Sequence, residues 1–206
     1  MRIAIIGAGN VGRALGSGWA KRGHEVCYGV RDPNDPKYRD LAAKASAEAA
    51  ADAEIIVVAT PWPATEAAVR GIGDLAGRIA IDCTNPLGMG PDGLGLVVGF
   101  TTSGGELVAQ WAPGAAVFKA FNTTGFNNME DLTGYPLPPA MFVAGDDGAR
   151  KPTVLQLVSE LGFEAIDAGP LRNARLLEPY GMLWIDQALN RNAGVDFAFT
   201  VLRKGK

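Results

Sequence analysis

Apolar residues in this chain come in short unbroken runs, with polar residues gathered between them. The runs fall at residues 2–6, 25–30, 55–59, 79–82, 117–120 and 141–144. Ile55-Ile-Val-Val58 is apolar at every position, as a strand covered on both faces requires; a half-exposed strand would alternate. The intervening segments 11–22, 38–50 (alanine-rich), 63–71 and 105–112 suit helices. Strands and helices that alternate through short connectors predict βαβ units and a mainly parallel sheet. Right-handed crossovers then give a doubly wound α/β fold. Past residue 146 the pattern predicts a helix at 149–161, a strand at 163–166, a longer helix at 173–190 and a last apolar stretch at 197–202.

Two stretches break this rhythm. Residues 88–105 are rich in glycine, and residues 122–139 include Pro136, Pro138 and Pro139. Long connectors inside a compact domain are usually functional or mobile. Both follow the C-terminal ends of predicted strands, the edge at which doubly wound folds bind ligands.

The first strand runs directly into Gly7-Ala-Gly9-Asn10-Val11-Gly12. This G-x-G-x-x-G spacing suits a dinucleotide: the first glycine allows a tight turn, the second lets backbone approach phosphate, and the third lets helix pack on strand. The helix over residues 10–22 then offers free N–H groups and the positive end of its dipole to the pyrophosphate. At the end of the second strand, where NAD-binding chains usually carry an acid, stand Val30 and Arg31. An apolar residue there repels no 2′-phosphate, and a guanidinium binds one well, so NADP(H) is expected. Lys37 is a second candidate cation. Asp32 comes one residue late for the ribose role and suits the start of a turn with Pro33. The expected division is therefore residues 1–145 as a dinucleotide-binding domain and residues 146–206 as a small α/β lobe that completes the substrate cleft.

Three further strand ends carry polar or proline punctuation: Thr60-Pro61-Trp62-Pro63, Asp82-Cys-Thr-Asn85-Pro86-Leu87 and Phe121-Asn122-Thr123-Thr124. Each by itself reads equally well as a turn or a helix cap, but all three meet the edge where the nicotinamide half would lie. Asparagine and threonine can hydrogen-bond a carboxamide or ribose, and proline fixes backbone beside a ring. The expectation is that Thr60, Pro61, Trp62, Asn85 and Asn122 contact the cofactor, with Asn85 and Asn122 orienting the nicotinamide. Trp62, Pro86, Leu87, Phe121 and Thr123 would line the substrate side, although Trp62 and Phe121 suit core packing as well.

Composition narrows the chemistry. The chain has 206 residues, 48% hydrophobic, with a net charge of −3 and no basic run, which argues against nucleic acid as a partner. Cys27 and Cys83 sit in apolar strands without CxxC spacing and read as core residues. One histidine, His24, leaves no metal-ligand cluster, and it falls in a turn at the far edge from the nicotinamide. No apolar stretch is long enough to span a membrane and no signal-peptide pattern opens the chain, so a cytoplasmic location is expected. There is no G-x-S-x-G elbow and no P-loop. Lys119 is the one candidate near the site for moving a hydroxyl proton, and its strand position suits packing instead. The pattern therefore favours hydride exchange between two flat ring systems, without a catalytic side chain, over alcohol or hydroxyacid oxidation. A non-catalytic NADP(H)-binding redox sensor is the alternative; the long loops at the strand ends favour the enzyme.

The segments IAIIGAGNVGRALG, YGVRDP, VVATPW, IDCTNPL, KAFNTTG, MFVAGDD and LGFEAIDAGPLRNARLLEP together resemble the coenzyme F420-dependent NADP oxidoreductase family. The N-terminal pieces are shared by many NADP enzymes, whereas AGPLRNARLLEP is more specific to this group. The resemblance implies a Rossmann domain with a small C-terminal lobe, commonly a homodimer, and hydride exchange between NADP(H) and a deazaflavin. It also implies NADP contacts from Gly7, Gly9, Asn10, Val11, Gly12, Arg31, Thr60 and Pro61 and from the loops of Asn85 and Asn122. The chain departs from that pattern at Val30, where a serine or threonine is frequent. F420 or another flavin-like molecule is the implied small-molecule co-substrate. Arg172, Arg175 and Lys119 are the cations available to its acidic tail, and Arg175 also has Glu178 within one helical turn.

Overall fold

A computed structural model describes residues 1–205. The chain forms β1 (Arg2–Ile6), α1 (Asn10–Ala20), β2 (Glu25–Val30), β3 (Ala43–Ala45), α2 (Ser46–Ala50), β4 (Ile55–Val58), α3 (Trp62–Arg70) and β5 (Ile79–Asp82). A hairpin of β6 (Leu87–Gly90) and β7 (Gly93–Leu96) follows, then α4 (Gly104–Trp111), β8 (Ala116–Lys119) and α5 (Phe126–Glu130). The chain is completed by β9 (Ala140–Gly145), α6 (Lys151–Glu160), β10 (Glu164–Asp167) and α7 (Ala174–Asn190).

The main sheet has eight strands in the order β10-β9-β8-β5-β4-β1-β2-β3. From β8 to β3 all strands are parallel, with the order reversing between β1 and β4. That reversal opens a crevice at the C-terminal edge, directly beyond Ile6 and Val58. The expected doubly wound Rossmann sheet is thus present. β1, β4 and β5 are buried along nearly their whole length because helices cover both faces.

Three local differences from the sequence pattern have physical causes. Residues 38–50 are not one helix: a 3₁₀ turn at Pro36–Tyr38 leads into β3, and only Ser46–Ala50 is helical. The open edge of β2 pairs with Ala43–Ala45, and those ladder bonds outweigh an alanine preference worth only tenths of a kcal/mol per residue. The glycine-rich connector holds the β6–β7 hairpin, turned at Gly93 with φ of 99°. β9 runs antiparallel to β8, because the chain leaves β8 and re-enters β9 at the same edge without a crossover helix.

The C-terminal α/β portion adds β10 beside β9 and shares the core of the sheet: Trp19 of α1, Phe121, Phe163 and Leu157 lie in one buried cluster. α7 then folds back across α4 towards the C-terminal edge. The apolar stretch 197–202 forms no helix or strand. It is an extended strap: Phe197 stacks on Trp184 at 5.1 Å, and the Phe199 carbonyl accepts the Ala140 N–H.

Candidate functional site

The glycine turn is built by exclusion of side chains. Gly7 has φ of 108°, and a Cβ there would lie 2.5 Å from the Ala59 carbonyl oxygen. A Cβ on Gly12 would lie 2.1 Å from the Gly7 carbonyl, so α1 can seat this close to β1 only without one. A Cβ on Gly9 would meet open space, which leaves the approach to the helix N-terminus clear. The first intrahelical bond runs from the Arg13 N–H to the Gly9 carbonyl, so the N–H groups of Asn10, Val11 and Gly12 have no helical acceptor and are free for an anion.

Arg13, which the glycine spacing does not single out, braces this turn. Its guanidinium donates to the Ala8 carbonyl at 3.0 Å and to the Lys37 carbonyl at 2.8 Å, tying the glycine turn to the segment after β2. The signal was available: a cation in the first turn of a helix opposes the macrodipole and needs acceptors elsewhere to hold it.

Beyond β2, Val30 is buried and Arg31 is exposed, with no hydrogen bond or ion pair to any described residue. The Asp32 carboxylate accepts the Asn34 N–H in its own turn. Lys37 is differently placed: its ammonium lies 2.7 Å from the Asp35 carboxylate and over the Tyr38 ring. That hydrogen bond holds Asp35 below the usual carboxylate range and raises Lys37. Of the two cations, Arg31 is the one left free for a phosphate.

At the opposite end of the crevice two amides interlock. Asn122 Nδ2 donates to Asn85 Oδ1 at 3.0 Å and to the Leu177 carbonyl at 3.0 Å, while Asn85 Nδ2 donates to the Asn122 carbonyl at 2.8 Å. Exchanging the O and N of Asn122 would set its oxygen against two acceptors, so the network fixes its orientation. Gly181 of α7 closes the pair: a Cβ there would lie 2.5 Å from the Asn122 carbonyl oxygen. Asn122 is 3% exposed, and its Oδ1 is the buried side-chain atom without a partner among the described residues. An orphaned buried acceptor is costly, about 1–3 kcal/mol, and asks for a donor. The carboxamide N–H of a nicotinamide is such a donor, so these residues fit that group.

The other expected contacts divide. Thr60 shares a hydroxyl bond of 3.0 Å with Thr65 at the start of α3, beside exposed Pro61. Trp62 is half-buried and packs on Trp111 at 5.5 Å, with its ring against Gly104. Pro86 is buried with its carbonyl bonded to the Val97 N–H, and Leu87 opens the β6–β7 hairpin, half-buried. Phe121 is not a cleft wall. It is 1% exposed in the core, edge-on to Trp19 and Phe163, with its backbone at φ of 62°. Thr123 is buried as well, its hydroxyl directed at the Met141 sulfur. The left-handed turn at Phe121 sends these alternate side chains inward and leaves Asn122 facing Asn85.

Lys119 is fully buried, and its ammonium meets three acceptors: Asp82 Oδ2 at 2.8 Å, Glu178 Oε1 at 2.8 Å and the Thr84 carbonyl at 2.6 Å. Burial by itself would lower its pKa, yet the two carboxylates hold it above the ordinary value. Asp82 also accepts from the Thr84 N–H and hydroxyl, and Glu178 accepts the first N–H groups of α4, from Gly104 at 2.9 Å and Gly105 at 3.0 Å. A charged lysine without a free proton or an open face is no acid or base for a substrate. Arg175 does not pair with Glu178; it makes a two-pronged bond to Glu106, whose carboxyl it holds below the usual range. Of the three cations considered for an acidic tail, only Arg172 is exposed without a partner among the described residues. His24 bonds Glu160 at 2.7 Å on the far edge. Burial pushes the Cys83 thiol well up, so it is held as a neutral core group. A cavity of about 230 Å³ beside Ala116, Arg150 and Leu171 opens at the edge opposite the glycine turn.

Known proteins share this fold. The family model for coenzyme F420-dependent NADP oxidoreductases matches residues 2–86. A crystal structure from Arthrobacter sp. FB24, described as a candidate F420-dependent NADP reductase, superposes with a TM-score of 0.89 at 33% identity, covering 98% of this chain and 100% of that one. The chain belongs to the F420-dependent NADP oxidoreductase family. The match reaches the whole C-terminal portion, which the family model alone does not. A hypothetical protein from Sinorhizobium meliloti, SMa0349, is 26% identical with a TM-score of 0.73, over 86% of this chain and 90% of its own. Among curated proteins, the metalloreductase STEAP3 of Rattus norvegicus is 24% identical over 187 residues, 86% of this chain. The chain spans about a third, 36%, of that relative's length. An imine reductase from Myxococcus stipitatus, 16% identical with a TM-score of 0.64 over 92% of this chain and 62% of its own, shares the fold. The protein is thus an NAD(P)-dependent oxidoreductase by family, and NADP(H) is the family's cofactor.

Proposed function

We propose that this protein transfers hydride directly between NADP(H) and a deazaflavin such as F420, or another flavin-like ring. The observation that carries the reading is the orphaned Oδ1 of Asn122, buried against Asn85 at the same sheet edge as the glycine turn. A nicotinamide carboxamide would give that oxygen its missing donor, and the interlocked amides would fix the ring's rotation. The free N–H groups of residues 10–12 bind the pyrophosphate, and exposed Arg31 takes the 2′-phosphate in place of an acidic residue. Thr60, Pro61 and Trp62 border the crevice between these ends, and Pro86 and Leu87 carry the acceptor side.

The cofactor, when bound, supplies the hydride at its nicotinamide ring. This chain's residues orient it, exclude water and hold two rings in contact, which suffices when both partners are redox-active rings. A ketone or alcohol substrate would need a proton donor. Lys119 is committed to three acceptors and His24 sits at the far edge, so among the described residues neither supplies one. The deazaflavin is supported by kinship with the Arthrobacter protein. The family's homodimeric habit is carried over with it, supported by Leu176, Leu183 and Leu189 exposed on α7.

The test is NADPH oxidation by the purified protein with F420, FMN, FAD and quinones in turn. Turnover with F420 or a flavin is expected. Tight NADPH binding without turnover on any acceptor would overturn the enzyme reading in favour of a redox sensor.

A further inference from the structure

The buried ion cluster joins the elements that carry the amide pair. Glu178 is the buried, charged attachment of α7 to β8 and α4. Its two oxygens take the Lys119 ammonium from β8 and the Gly104 and Gly105 N–H groups from the start of α4. Lys119 in turn holds Asp82 and the Thr84 carbonyl, immediately before Asn85 on the chain. The helix residues flanking Glu178 hold the amide pair: the Leu177 carbonyl accepts from Asn122, and Gly181 packs on Asn122 and Asn85. Every polar side-chain atom of the cluster has a partner, whereas the pair it supports keeps one orphan, Asn122 Oδ1.

From this arrangement we infer that Glu178 is a positioning residue for the nicotinamide carboxamide, acting through segment 177–181 of α7 on the Asn85–Asn122 pair. The inference rests on the NADP(H) reading above. Glu178 never touches the cofactor. It sets the distance between α7 and the loop after β8, and so holds the Asn122 oxygen where the carboxamide N–H must reach it. Loss of that setting leaves the pyrophosphate and 2′-phosphate ends untouched, since they are built on α1 and β2.

Glu178→Gln exposes the device, because an amide N–H₂ would face the donors of Lys119 or of α4. Gly181→Ala reaches the same pair without altering a buried charge, through a Cβ 2.5 Å from the Asn122 carbonyl oxygen. Affinities are measured by calorimetry for NADP⁺, for its 3-acetylpyridine analogue, in which a methyl replaces the carboxamide N–H₂, and for 2′-phospho-ADP-ribose, which has no nicotinamide. The protein as it stands is expected to prefer NADP⁺ over the analogue by about tenfold, the value of one donor to a buried acceptor. In both variants that preference is expected to fall to about onefold to twofold, while 2′-phospho-ADP-ribose binds as before. Variants that keep the tenfold preference, or that lose affinity for all three ligands together, would overturn the positioning role while leaving the NADP(H) reading intact. Failure of the parent protein to bind the 2′-phosphorylated ligands would overturn that reading, and the inference with it. If Glu178→Gln fails to fold, Glu178→Asp, which keeps the charge but shortens its reach to Lys119 and the α4 N–H groups, decides by the same criteria.

Discussion

The two ends of the crevice are made of different material. The end proposed for the phosphates is backbone: a positive-φ glycine, a helix N-terminus and the space where side chains are absent, all within residues 6–13. The end proposed for the nicotinamide depends on side chains: the amides of Asn85 and Asn122 meet each other against the Leu177 carbonyl and the bare backbone of Gly181, brought together from loops and a helix far apart in sequence and secured by Asp82, Lys119 and Glu178. Backbone sites tolerate change wherever glycine is kept. A converging side-chain site depends on every element that delivers a residue, which is why a buried ion cluster stands directly behind it.

That contrast predicts where substitutions act. The largest effect is expected from Lys119→Met. It leaves the carboxylates of Asp82 and Glu178 buried without their cation and should lower unfolding free energy by about 3–5 kcal/mol in urea titration. A change under 1 kcal/mol would mean the cluster relaxes into solvent. At the phosphate end, Arg31→Ala should raise the dissociation constant of NADPH by roughly tenfold to a hundredfold, the loss of a charge-assisted bond of about 1.5–3 kcal/mol. NADH binding should hardly move, and an equal loss for both cofactors would remove Arg31 from the 2′-phosphate. Between the ends, Trp62→Ala should slow hydride transfer by about twofold to tenfold, as one aromatic contact is worth roughly 0.5–1.5 kcal/mol. An unchanged rate would leave Trp62 as no more than the packing partner of Trp111. The gentlest probe is alkali. Lys119 has a raised pKa in the fold, so its contribution is complete below its ordinary 10.5 and is lost as pH rises through the higher folded value. Stability should therefore decline above about pH 10.5 more steeply in the parent than in Lys119→Met.

Legibility in the sequence follows the same division. The turn at Gly7, Gly9 and Gly12 could be read because backbone requirements leave residue types at fixed spacing. The continuous apolar run of β4 likewise announced a strand buried on both faces. The reversed β9 was illegible, since strand direction depends on whether a connector crosses the sheet, and residues 122–139 carry no crossover helix. Asn85 and Asn122 were recognisable as polar punctuation, but their mutual bonds were not. Phe121 and Thr123 were misread for a related reason: alternation about a left-handed residue decides which side chains face inward, and composition does not reveal that turn. Glu178 was weighed only against Arg175, its neighbour on the helix, whereas its partners come from α4 and β8.

The most direct test of the chemistry is the fate of the hydrogen itself. NADPH carrying deuterium at C4, prepared separately on each face, is turned over by the protein with oxidised F420, and the reduced product is weighed by mass spectrometry. Direct ring-to-ring transfer predicts one deuterium retained on carbon in the reduced deazaflavin, from one face of the nicotinamide only. Reduced product without label from either face would contradict it.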